Sequence, residues 1–398
     1  MKTQYDVVVV GGGLIGAVQA VALQRAGFAV ALVELRRPAE FDPDSPYDLR
    51  QSAIAPAQKR ILDNLGLWDF VAEHRACPFT AMQVWEDDPA RALLLEHTEL
   101  GLPDLGHIID NGLLVASAWR NLTDVDIHCP AGVDDIVVDR RHVALTLDDG
   151  SRLTADLVIG AEGAESVVRR HAGIDTTGWP YHQRCTVGAV TTEKYHRHTA
   201  WQRYTPSGPV AFLPLADGRC SLAWHADDAV AHGLAELGDA AFLERLTAAS
   251  GGVLGRVSAI ERRASFPLRL QHAESYCRAR VALVGDAAHV VHPMAGYGIN
   301  LGLLDVAELT AALAAGRAAD RDAGALAYLR RYQRARKADN LLMLGATDVL
   351  KRLYGNRNPI LRQLRGYGID VAARFAPLRQ LMIRHATGTG RQGPALQR

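Results

Sequence analysis

The stretch YDVVVVGGGLIGAVQAVALQRAG, residues 5–27, constrains the fold more than any other. An apolar run from Asp6 to Val10 stops at three consecutive glycines, and a helical pattern takes over from Leu14 to Ala26. Ala29 to Glu34 then reads as a second strand, and strand–helix–strand units build parallel sheets. Gly11, Gly13 and Gly16 spell G-x-G-x-x-G at the junction. Gly11 permits the tight turn, Gly13 lets backbone approach a pyrophosphate, and Gly16 lets the helix pack on the sheet. The helix start at Leu14 and Ile15 offers amide donors and a partial positive charge to phosphates. Glu34, ending the second strand, suits the two hydroxyls of an unphosphorylated adenosine ribose, as in FAD or NAD. A secretory signal fits less well, because Asp6, Gln19 and the glycines interrupt the apolar run.

At 398 residues the chain can bury one large or two interleaved domains. Lys plus Arg match Asp plus Glu at 44 each, so no global field recruits nucleic acid. Arg330, Arg331, Arg334, Arg336 and Lys337 form a local basic cluster that reads as a solvated helix face. Five unpaired-looking cysteines favour a reducing compartment without a zinc site, and no other apolar stretch reaches the ~18 residues of a membrane span. The expectation is a cytoplasmic protein.

Short alternating runs from Pro78, and again from about Cys185 to Ala226 with a hairpin turn at Ala216 to Gly218, indicate a second, mostly β unit. After Gly302 the pattern is helical, with Pro359 and Pro377 at helix boundaries. The plan is α/β: a discontinuous Rossmann-like domain for FAD or NAD (1–77, 100–180, 265–345) interrupted by a β-sheet substrate domain (78–99, 181–264). C-terminal helices (346–388) and a disordered tail (389–398) follow.

A second segment, GDAAHVVHPMAGYGINLGLLD (285–305), places an acid and several glycines between a strand, Val281 to Val284, and a helix beginning near Ile299 and Asn300. Asp286 can accept a hydrogen bond from a sugar-alcohol chain such as ribityl. Amides at the helix start favour negative charge on a flavin's pyrimidine edge. GLAELG and GGVLG fit no strand–turn–helix unit, so a nicotinamide donor has no second fingerprint and docks transiently.

This segment resembles the GDAAH-x-x-x-P-x-x-G-x-G-x-N-x-G signature of class A flavoprotein monooxygenases, the relatives of para-hydroxybenzoate hydroxylase, and looks most like the ubiquinone-biosynthesis hydroxylases. LRQSAIAPAQKRILDNLGLWD, LGHIIDNGLLVASAW, DLVIGAEGAESVVRR and the LRQLMIRHATG tail extend the resemblance over nearly the whole chain. It implies cofactor contacts at Arg50, Asn111, Val133, Gly296, Gly298, Ile299 and Asn300. Within Asp156 to Arg169 it implies one at Glu162, where the family usually carries aspartate. Tyr297 stands where glutamine is usual, and its phenol can stack, narrow the pocket or donate a hydrogen bond. The resemblance makes His289 part of the turn, and His289 and His292 lack a carboxylate at metal-ligand spacing.

The implied activity is oxygen transfer from O₂ to an electron-rich ring through a flavin C4a-hydroperoxide, with FAD reduced by NAD(P)H. No residue stands out as catalytic base. Phe212, Pro214, Trp224, Pro293 and Tyr297 are the pocket candidates. The implied substrate is an aromatic small molecule, a polyprenylated phenol of ubiquinone biosynthesis or else a pigment or secondary-metabolite phenol. An isoprenoid reductase or a non-catalytic flavin-fold carrier are the other readings. A prenyl tail calls for a peripheral contact at the inner face of the membrane or in a biosynthetic complex. Leu361, Leu364, Ile369, Val371, Phe375, Leu378, Leu381 and Met382 offer one; ordinary packing explains the same pattern.

Overall fold

The computed structural model describes residues 3–292, 297–355, 375–389 and 395–397. The opening strand, Gln4–Val10, pairs in parallel with Val30–Val33 on one side and with Arg152–Gly160 on the other. The sheet continues to Val125–His128 at one edge and, through Val281–Leu283, to Cys277–Arg278 at the other, with an antiparallel hairpin, Val133–Val138 and Val143–Leu147, attached to Arg152–Gly160. Such central strands are covered on both faces, which explains their continuous Val/Ile/Leu runs. Helix Leu14–Arg25 buries Gly16 to Leu23 without a break, because it lies between the sheet and helix Tyr297–Ala318. Gln19, in the middle of that face, donates from Nε2 to Thr310 Oγ1 at 3.0 Å.

The second sheet holds eight strands and is antiparallel except where Thr199–Thr205 meets Ala81–Trp85. Its two longest strands, Thr176–Thr192 and Val257–Ala273, run across the expected boundaries at 180/181 and 264/265, so the β unit is rooted in the first domain by continuous chain. The hairpin Gly208–Pro214 and Cys220–Asp227 closes through Ala216 to Gly218, with Gly218 at φ +90° as the turn requires. A small third sheet, Gln51–Ile54, Gly106–Asp110 and Cys77–Phe79, sits at the junction.

One crossing decides where a site can form. After Val281–Leu283 the chain leaves the parallel sheet, and His289–Val290 adds an edge strand to the second sheet beside Gln271 and His272. The Gly285–Asp286 turn therefore bridges the two sheets at the carboxyl end of the parallel strands, the usual location of ligands in open α/β sheets.

Two expectations are corrected here. Helix Gly298–Ala318 is long and apolar enough to span a bilayer, with a mean hydropathy of 1.4, yet most of it is buried inside the protein. Its apolarity reflects packing on all sides, against Leu14–Arg25 and against helix Leu326–Gly355. The tail is ordered at Ala395–Gln397: Arg60 Nε donates to the Gln397 carbonyl at 3.0 Å, Asn64 Nδ2 donates to Leu396, and Leu396 packs on the core. One partly buried leucine and two donors hold a segment whose polar composition suggested disorder. Pro377 opens helix Ala376–Thr387, while Pro359 lies outside the described residues.

Candidate cofactor site

The glycine turn is built for close approach. Gly11 sits at φ +99°, and a Cβ there would fall 2.7 Å from the Ala161 carbonyl carbon and the Glu162 nitrogen. A Cβ on Gly16 would fall 1.8 Å from the Gly11 carbonyl oxygen. Both glycines are demanded by packing. Gly13 is different: a Cβ there would meet nothing within 4 Å. It is also the N-cap of Leu14–Arg25 and has no side chain to bond the helix start. The first amides of that helix lack intrahelical acceptors and face open space beside Gly13, as a pyrophosphate cradle needs.

Glu34 lies beside this turn and accepts hydrogen bonds from the Gly12 amide and, at 3.0 Å, from the Arg36 amide. Its backbone carbonyl accepts from Ala131, which brings the start of Val133–Val138, and Val133 with it, to the same rim. Trp119, not singled out in the sequence, donates from Nε1 to the Gly12 carbonyl at 2.7 Å and braces the turn from below.

Asp286 occupies the other end. Its neighbours Gly285, Ala287 and Ala288 are buried, while its own side chain is exposed. The exposure is to a cleft within protein: burial raises the carboxyl pKa, opposed by His289, Arg50 and Arg269. Gly285, at φ +59°, packs against Ile15, and Gly302 would place a Cβ 2.6 Å from the same side chain. Ile15 thus wedges the phosphate turn against the Asp286 turn. Two segments far apart in the chain meet on one isoleucine.

Arg50, Ser52 and Asn111 gather along the cleft. The Arg50 guanidinium lies 4.6 Å from the Phe266 ring centroid, Ser52 Oγ donates to Asn111 Oδ1 at 2.6 Å, and the Asn111 amide donates to the Arg50 carbonyl at 3.1 Å. Gly298 and Ile299 lie in the first turn of Tyr297–Ala318. Asn300 is used structurally: its Oδ1 accepts from the Ala55 amide at 3.0 Å and its Nδ2 donates to the Ala53 carbonyl at 2.7 Å. Glu162 also turns inward, accepting from the Val168 amide at 2.7 Å and from Ser166 Oγ at 2.9 Å, with burial raising its pKa. It caps the short helix Val167–His171 in place of reaching into the cleft. Pro293, Gly296 and the Tyr297 side chain lie outside the described residues.

The pocket candidates on the β sheet need correction. Phe212 and Trp224 are buried in a cluster with Phe242 and Leu246 of helix Asp239–Ala249, behind the sheet, and Pro214 shares their parity. The opposite parity faces the cleft side: Ser221 Oγ donates to Gln51 Oε1 at 3.1 Å, and Leu213 packs with Ala53 and Ile108. Strand side chains alternate, so a choice one residue off selects the wrong face.

With this geometry in hand, comparison with known proteins is decisive. A family described as "FAD binding domain" matches residues 4–340. The chain belongs to that family. It is 36% identical over 389 residues to the 3-demethoxyubiquinol 3-hydroxylase of Escherichia coli, covering 96% of this chain and 98% of that one. It is 38% identical to the ubiquinone hydroxylase UbiL of Rhodospirillum rubrum, covering 98% and 91%. Among solved structures, p-nitrophenol 4-monooxygenase PnpA of Pseudomonas putida superposes with a TM-score of 0.79 at 21% identity, over 98% of this chain and all of that one. A variant of Klebsiella pneumoniae HpxO complexed with FAD superposes at 0.75 and 17% identity, covering 98% of each chain. The chain is a flavoprotein monooxygenase by family, and the glycine turn, Glu34 and Asp286 are the residues that fit FAD.

Proposed function

We propose that this flavoprotein hydroxylates the electron-rich ring of a ubiquinone precursor. The observation that carries the reading is the meeting of two turns on Ile15: the open side of Gly13 follows one, and Asp286 sits on the other, where the chain crosses to the second sheet. Hydroxylases of ubiquinone biosynthesis match it end to end, which supports the substrate class.

Bound FAD supplies the oxygen activation, with NAD(P)H as reductant and O₂ as co-substrate. The chain's part is to bind, orient and exclude water. The amides at Leu14 and Ile15 neutralise the pyrophosphate, Glu34 takes the ribose hydroxyls, and Asp286 takes the polyol chain. Leu213 and Ser221 belong to the sheet face that closes over the ring. A prenyl tail leaves toward a membrane surface at the cytoplasmic side, where Phe375 and Leu381 expose apolar surface while Leu378 packs inward against Leu93 and Leu95.

The test is the profile of quinone intermediates in cells lacking the gene. One deoxy or demethoxy precursor accumulates and disappears on complementation. An unchanged profile removes the quinone assignment and leaves a different phenol as substrate.

A further inference from the structure

The Asp286 turn is held by side chains from three separate parts of the chain. Tyr332 Oη donates to the Leu283 carbonyl at 2.6 Å, Arg169 Nη1 donates to the Ala287 carbonyl at 3.0 Å, and the Gly285 amide donates to Asp305 Oδ2 at 3.1 Å. Asp305 is fully buried on helix Tyr297–Ala318. The same Oδ2 lies 2.5 Å from His289 Nε2, and Oδ1 accepts from Arg336 Nε at 2.8 Å. Arg336, expected on a solvated face, is 2% exposed and comes from helix Leu326–Gly355. Its Nη2 donates to Asn340 Oδ1 at 2.7 Å, and Asn340 Nδ2 in turn donates to Tyr276 Oη at 3.2 Å.

We infer that Asp305 and Arg336 are positioning residues of the cofactor site: they fix the Gly285 amide and thereby the direction in which Asp286 presents its carboxylate to FAD. The inference rests on the cofactor reading and not on the substrate. Gly285 is left-handed at φ +59°, and a glycine has many backbone conformations open to it, so the amide bond to Asp305 selects this one. Burial alone pushes the Asp305 carboxyl up, and His289 and Arg336 together overcome it and hold it below the ordinary range. With Arg336 removed, the buried anion keeps His289, the Gly285 amide and a longer contact from Asn340 Nδ2 at 3.4 Å but loses its guanidinium partner, and it rotates or takes a proton. Either response loosens its grip on Gly285. Asp286, one residue on, then loses its aim although nothing touching the cofactor has been altered.

The test compares FAD binding with folding. Apoprotein of the wild type, Arg336→Met, Arg336→Lys and Leu246→Ala is titrated with FAD by fluorescence, and the visible flavin band and Tm are recorded for each. Leu246 is a fully buried core residue of the β unit, far from the turn, and serves as a control for lost stability. Arg336→Met raises the FAD Kd about tenfold or more, the scale of one weakened hydrogen bond to a charged group, and shifts the flavin band. Arg336→Lys falls between it and wild type, and Leu246→Ala lowers Tm with Kd unchanged. Wild-type Kd and spectrum in Arg336→Met overturn the inference. Should Arg336→Met not fold, Asn340→Leu leaves Arg336 in place and removes its brace, together with the Asn340 bonds to Tyr276 Oη and Asp305 Oδ1. A Kd raised about threefold then supports the inference, and an unchanged one overturns it. A wild-type chain that binds no FAD sinks the cofactor reading itself, a separate outcome.

Discussion

Gly13→Ala separates a cofactor contact from a folding requirement within one motif. Gly13 has φ −64° and ψ −175°, which alanine adopts freely, and its Cβ would enter open space. Alanine at this N-cap gains about 0.4–1 kcal/mol from a stiffer unfolded chain and loses about as much in capping. Stability of the apoprotein therefore changes by less than about 1 kcal/mol, a shift in Tm of a few degrees. The new methyl stands where the pyrophosphate must come, and an oxygen displaced by about 1.5 Å leaves hydrogen-bond range of the helix-start amides. Two bonds to a charged group, at about 1.5–3 kcal/mol each, are worth roughly 3–6 kcal/mol, or about 10²- to 10⁴-fold in Kd. Gly16→Ala is the contrast, since its Cβ collides with the Gly11 carbonyl and both Tm and Kd suffer. Fluorescence titration with FAD and thermal unfolding of the apoprotein give the two numbers. Unchanged Kd in Gly13→Ala, with unchanged Tm, refutes the phosphate-cradle assignment.

Phe212→Ala opens a cavity behind the sheet and costs about 3–5 kcal/mol, read as a lower urea midpoint, while KM for the aromatic substrate stays within about twofold. A large rise in KM at wild-type stability would return Phe212 to the pocket. Burial pushes His225 down from 6.5 to about 4 and His292 to about 3, the latter helped by His225 and Lys351. Both are neutral when folded, but the unfolded chain takes up protons below about pH 6.5, so their contribution is complete above that pH and is lost as pH falls through 4 toward 3. Each steepens the decline by about 1.4 kcal/mol per pH unit, and urea unfolding of His225→Leu between pH 6 and 4 shows a shallower slope. An unchanged slope removes His225 from the account.

The parts of the site legible in the sequence are those where backbone geometry forces a residue type. Gly11 and Gly16 are such positions, because any side chain there collides with backbone. Asp286 was legible from its strand-end position together with the surrounding signature. What could not be read depends on partners distant in sequence. Arg336 looks like one more surface cation until Asp305, 31 residues away, is seen beside it. Glu162 and Asn300 carry side-chain chemistry that suits a cofactor, and their side-chain oxygens accept from nearby amides, partners that local sequence does not announce. Phe212 and Trp224 fail for a simpler reason: both faces of that strand pair are largely apolar, so alternation gives two candidate faces and only a weak sign to choose between them. The small signal that distinguishes them is polar, Ser221 and His225 on one parity against Cys220, Leu222 and Trp224 on the other.

The most direct test is the source of the oxygen atom. Purified enzyme with FAD, NAD(P)H and a demethoxy- or deoxyquinol precursor is run under ¹⁸O₂, and the product is weighed by mass spectrometry. A ring hydroxyl carrying one ¹⁸O, formed with consumption of one reductant, is the expected result. A hydroxyl drawn from water, or a reduced isoprenoid chain with no new oxygen, contradicts the account.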